Sequence, residues 1–133
     1  MENLLDIGVE EYKIAGGGVL RFHPGDPNLF ARFLRAETEI QALEKRFAEA
    51  GKDGAEMLAA MEEADRKIKE ILNGVFGSGN DFHTALGGVN LLAVDGKGVS
   101  LAQRLFGALE QVLTEGAKRF AKQQAEKLIV DNG

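Results

Sequence analysis

Apolar residues recur along this chain in two rhythms. Over residues 1–23 the rhythm is short. Tyr12 and Ile14 alternate with charged neighbours, and Val19-Leu20-Arg21-Phe22 follows Gly16-Gly17-Gly18. Alternation on both sides of a glycine turn predicts a β-hairpin. A lone hairpin is marginal in water, so this one has to pack on the rest of the chain or pair its edge with another.

From residue 26 the rhythm becomes helical. In His23-Pro24-Gly25-Asp26-Pro27, Asp26 suits an N-cap and Pro27 the first helical position, where a missing N–H costs nothing. A helix is predicted over 26–50, stopped by Gly51. Its apolar residues Leu29, Phe33, Ala36, Ile40, Leu43 and Phe47 step alternately by four and three, a heptad-like stripe. A second helix is predicted over 53–76, where Asp53 and Glu56 have capping-box spacing and Met57, Met61, Ala64, Ile68, Ile71 and Val75 repeat the same steps. Two such seams joined by a short polar linker predict an antiparallel helical hairpin.

Residues 77–98 are rich in glycine and break the rhythm. Asp81 to Leu86 reads as a short helical turn ended by Gly87-Gly88, and Asp95-Gly96-Lys97-Gly98 reads as a turn. Asn90-Leu91-Leu92-Ala93-Val94 suits either a strand or a helix. A last helix is predicted over 99–127, with Leu101, Leu105, Leu109, Val112, Gly116 and Phe120 along one face and Phe106 and Leu113 widening it. Residues 129–133 read as a frayed tail. The predicted fold class is mainly α with a small N-terminal β-hairpin (α+β), an antiparallel helical hairpin plus a C-terminal amphipathic helix, in a single domain over 1–133.

Composition narrows the functions this pattern can serve. The formal net charge is −5, which weighs against nucleic acid and anionic membrane surfaces as partners, since both need a basic patch. With no cysteine, disulfide and thiolate chemistry are excluded. The start, Met1-Glu2-Asn3-Leu4-Leu5-Asp6, lacks the basic region and apolar core of a signal peptide, and no apolar run approaches the roughly 20 residues of a membrane span. A cytoplasmic protein is expected.

Candidate chemistry is sparse. His23 and His83 stand about sixty residues apart in turn-like contexts, outside any nucleophile or metal motif. Gly74-Val75-Phe76-Gly77-Ser78-Gly79 follows a helix and lacks the ending of a phosphate-binding loop. Glu62, Glu63 and Asp65, beside Arg66, Lys67 and Lys69, read as a polar helix face with i,i+4 pairing. Lys118, Arg119, Lys122 and Lys127 suit the negative end of a helix dipole. No catalytic residue, metal site or cofactor is expected, and a deep pocket around His83 or His23 is the feature that would argue for an enzyme. The stripe on the last helix is broader than one packing neighbour requires. Phe30 and Leu34 fall off the seam of the first helix, so Phe30, Leu34, Leu105, Phe106 and Leu109 are the candidate partner-binding residues, and homo-oligomerisation is expected.

The order of these features resembles a known family. The hairpin leads into His23-Pro24-Gly25-Asp26-Pro27-Asn28-Leu29-Phe30. Later come Ile71-Leu72-Asn73-Gly74-Val75-Phe76-Gly77, Asn90-Leu91-Leu92 and a C-terminal amphipathic helix. This looks like the tail assembly chaperones of long-tailed, siphovirus-type phages and prophages of Gram-positive bacteria. In those proteins the first helix tends to open with Asn-Pro-Thr-Asp-Pro-Asn-Phe and the second tends to end in Phe-Gly. His23 and Gly25 depart from that pattern, and Asp26 and Pro27 match it. The resemblance implies a non-enzymatic protein of the host cytoplasm. It would bind the tape-measure protein, with the tail-tube protein a further candidate partner, and keep it soluble during tail assembly. The alternatives are a structural tail-completion or connector protein of the virion, or a generic helical protein-interaction module.

Overall fold

The computed structural model describes residues 5–15, 17–49, 53–77 and 79–132, with side chains through residue 127. Strands β1 (Glu10–Lys13) and β2 (Val19–Phe22) form an antiparallel hairpin, with Lys13 opposite Val19 and Glu10 opposite Phe22. Gly17 takes a φ of 102°, open to glycine at no steric cost, and its N–H bonds the Ile14 carbonyl across the turn. Gly16 lies outside the described residues. The hairpin packs on the helices through Leu20 and Phe22, both buried. Asn80 serves as a surrogate neighbouring strand. Its Oδ1 accepts the Arg21 N–H at 2.8 Å and its Nδ2 donates to the Arg21 carbonyl at 2.8 Å. Gly18 lies against the Ala85 backbone so closely that a Cβ would have no room.

Helix α1 (Pro27–Glu49) begins as the sequence predicts. Asp26 caps it, its Oδ1 accepting the Asn28 N–H at 2.9 Å. Asp26→Ala should therefore lower stability by about 1 kcal/mol, read from urea unfolding. Gly51, the expected stop, lies outside the described residues. Helix α2 (Gly54–Phe76) starts at Asp53, but that side chain makes no capping bond, so the expected Asp53–Glu56 capping box does not form. The two helices run antiparallel: Arg32, near the start of α1, donates to the Val75 carbonyl near the end of α2.

Their seam packs largely as the spacing predicts, with Phe33, Ile40 and Ile68 fully buried, while Leu43, Met61 and Ile71 are only partly covered. The reason is that α2 buries a second stripe, Asp65, Lys69, Leu72 and Phe76, which rotates Met61 and Ile71 toward the rim. A short helix α3 (Phe82–Ala85) follows, capped by Asp81. Asn90 to Val94 is neither strand nor helix but turns, with Val94 bridging to Ser100. Its backbone caps the last helix: the Leu91 and Ala93 carbonyls accept the N–H groups of Ala102 and Leu101.

Helix α4 (Leu101–Asn132) runs beyond the expected end near Lys127 and includes all but the last residue of the tail read as frayed. It does begin with a capping box, Ser100 Oγ accepting the Gln103 N–H and Gln103 Oε1 accepting the Ser100 N–H. Its buried positions are Ala102, Leu109, Leu113 and Gly116. Gly116 touches the Pro24 carbonyl, a crossing that leaves no space for a Cβ. Among the described residues no helix is long and apolar enough to cross a membrane.

Candidate functional site

Two concave surfaces stand out. The first lies where the opening of α1 meets the outer half of α4. Pro27, Phe30 and Leu34 come from α1, and Leu113, Ala117 and Phe120 from α4, around a groove of about 330 Å³. On each helix these positions are spaced three or four residues apart, so both walls are ridges of the kind that admit a third helix. Leu34 is 47% and Phe120 43% exposed, a large apolar outlay to water. The structure thus brings Phe30 and Leu34 to one groove, but not the other three expected residues. Leu109 is core, and Leu105 and Phe106 pack half-buried against that core. The groove uses Ala117 and Phe120 instead, three turns further along α4. Leu113, expected only to widen the stripe, is buried at the centre of its face.

The second surface is a groove of about 730 Å³ between α2 and residues 83–90, reaching from Leu58 to Asn73 along α2. Its inner wall is a buried ion pair that sequence reasoning assigned to a solvated face. The Lys69 and Asp65 side chains are only 4% and 11% exposed, with Nζ and Oδ2 2.9 Å apart. The ammonium also donates to the Val89 carbonyl at 2.8 Å and meets His83 Nδ1 at 2.9 Å. An ammonium can only donate, so His83 Nδ1 is the acceptor and the ring proton sits on Nε2. Asp65 Oδ1 accepts the Leu91 N–H at 2.8 Å. All three ammonium protons and both carboxylate oxygens are therefore engaged. The arrangement clamps an irregular segment to α2 and leaves neither charge open to a substrate. The signal for it was present: Asp65 and Lys69 stand at i,i+4 in the same stripe as Leu72 and Phe76.

A pocket around His83 or His23 was the feature that would argue for an enzyme, and each histidine does line a concave surface: His83 the α2 groove, where its Nδ1 meets the Lys69 ammonium, and His23 a hollow of about 200 Å³ with Glu10 and Arg119, where its Nδ1 accepts the Gly25 N–H. Among the described residues no group of three or more His, Asp or Glu is placed to hold a metal ion, and every buried side-chain nitrogen and oxygen has a partner. Elsewhere, Asp81 is held below the usual carboxylate range, chiefly by the Thr84 hydroxyl, and Asp95 likewise by the Val99 N–H. Both carboxylates brace turns. Burial and the facing Glu110 push Glu37 up, and burial with the Glu10 hydrogen bond pushes Tyr12 up to about 12. None of these groups lines either groove.

No family model matches the chain, and neither the curated proteins nor the solved structures contain a significant match.

Proposed function

We propose that this chain is a helix-binding protein, and that the helix it binds belongs to a phage tape-measure protein, which makes it a tail assembly chaperone acting in the bacterial host cytoplasm. The observation that carries the first half is the α1–α4 groove, two helical ridges with Leu34 and Phe120 left in water. An amphipathic helix laid there would cover that surface in the helix-in-groove mode. The resemblance of His23 to Phe30, Ile71 to Gly77 and the helical order to such chaperones carries the second half. A tape measure is a long helical chain with apolar stripes, and many chaperone copies along it would add weak contacts into avidity.

The test is co-expression with the tape-measure protein of the same genome. A chaperone raises its soluble yield and co-purifies in several copies per chain. Leu34→Glu or Phe120→Glu should remove co-purification without lowering the melting temperature, because both side chains lie outside the core. If the tape measure stays insoluble, and this protein is found stoichiometrically in mature virions, it is a structural component instead.

A further inference from the structure

The two edges of the hairpin differ. In an antiparallel pair, residues alternate between those that exchange backbone bonds with the facing strand and those that turn their N–H and carbonyl outward. The Ile14 N–H bonds the Gly18 carbonyl at 2.7 Å. In the same register, the backbone groups of Glu10 and Tyr12 face β2, and those of Glu11, Lys13 and Arg21 face outward. On β2 the outward groups of Arg21 are closed by the Asn80 amide. On β1 the outward groups of Glu11 and Lys13 have no hydrogen-bond partner among the described residues. Val9, Glu11 and Lys13 are all exposed. A strand edge in this state can accept another strand.

The side chains decide which strand. Glu11 and Lys13 lie on one face of the hairpin, two residues apart. Glu11 pairs with Arg21 of β2, and Lys13 makes no ion pair among the described residues. Suppose β1 is laid antiparallel to a second β1 across a two-fold axis at Tyr12. Glu11 of each copy then stands opposite Lys13 of the other, and both are residues with outward backbone groups. Moving the axis to Glu11 or to Lys13 sets like charges opposite each other, which is unfavourable. In the favoured register Tyr12 meets its counterpart on the helix side of the sheet. There a hollow of about 410 Å³ lies between Tyr12 and Val112, Glu115, Lys118 and Arg119 of α4.

We infer that two copies of this chain join edge to edge through β1, in the register that pairs Glu11 with Lys13. The product is a four-stranded sheet in the order β2–β1–β1–β2. Each Glu11–Lys13 pair exchanges both its backbone bonds and also places opposite charges side by side. Both outer edges of this sheet are β2, and Asn80 already closes each of them. The assembly therefore ends at a two-fold dimer and does not run on. The inference stands apart from the helix-binding function, since it uses neither Leu34 nor Phe120.

Mass and amide exchange of the full chain test it together. Sedimentation should show an equilibrium between 14.3 kDa and twice that mass, with nothing heavier as concentration rises. The Glu11 and Lys13 amides should exchange more slowly in the dimer than in the monomer. Lys13→Pro removes an N–H that makes no bond within the chain, so the hairpin should stay folded while the dimer is lost. Lys13→Glu should weaken the dimer about tenfold, since the change is felt on both sides of the two-fold axis. Mixing that variant with Glu11→Lys should restore association as a heterodimer. Phe120→Glu should leave the dimer unchanged. A parent that stays at monomer mass at every concentration overturns the inference. So does growth past the dimer, a dimer whose Glu11 and Lys13 amides stay unprotected, or a dimer that survives both Lys13→Pro and Lys13→Glu.

Discussion

Replacing Lys69 by methionine should lower the stability of the fold by about 3–5 kcal/mol. Methionine matches the stem of lysine in bulk but supplies no donor. The change leaves the Asp65 carboxylate buried against α2 with only the Leu91 N–H, and leaves the Val89 carbonyl and His83 Nδ1 without the ammonium. The loss is thus chiefly the cost of an uncompensated buried charge, not the net worth of the pair. Asp65→Asn combined with Lys69→Met removes that charge while an amide oxygen can still accept the Leu91 N–H, so the double variant should be more stable than Lys69→Met alone. Urea unfolding followed by circular dichroism measures both. A loss below about 1 kcal/mol for Lys69→Met, the range of a surface pair, would mean the clamp is not structural.

Phe76→Ala should have the second large effect, a loss of about 3–5 kcal/mol. Phe76 is the hub of an aromatic cluster. Its ring lies 5.0 Å from Phe22 of the hairpin, 6.2 Å from Phe33 of α1 and 5.3 Å from Phe82 of α3. Truncation empties the point at which four elements meet, and the surrounding rings cannot all collapse inward. Combined with Phe22→Ala the costs should not add, because the first change already loosens the hairpin from α2. Strict additivity in a double-mutant cycle would show that the two rings act independently.

Much of the helical framework was legible. Steps of four and three placed α1 and α2 to within two residues, because the seam that sets the period is the seam they bury together. The same rule failed on the other side of α2. Asp65 and Lys69 share a stripe with Leu72 and Phe76, but i,i+4 charges read first as a solvated pair, and it is the distant Val89-Asn90-Leu91 backbone that makes them core. Caps failed for a related reason. Asp53 has the right spacing from Glu56 but makes no side-chain bond. Ser100 and Gln103 carry the same signature and do form the box, one residue inside the start predicted at residue 99. In the α1–α4 groove, Phe30 and Leu34 were found from their off-seam positions. Phe120 was assigned to the packed face instead, since a helix wheel does not say where α4 leaves the body. Gly116 marks that point by its contact with the Pro24 carbonyl.

The pairing of Asn80 with Arg21 bears on the order in which the molecule can be made. These residues are 59 positions apart, and the Gly18–Ala85 contact spans a similar stretch of chain. The hairpin is translated first, yet its outer strand has no neighbour until both long helices have left the ribosome. Helices α1 and α2 can pair as they emerge, because their contacts are close in sequence. During synthesis the strands wait as an open sheet edge, the form of β-structure most inclined to join another chain, until Asn80 arrives to occupy it.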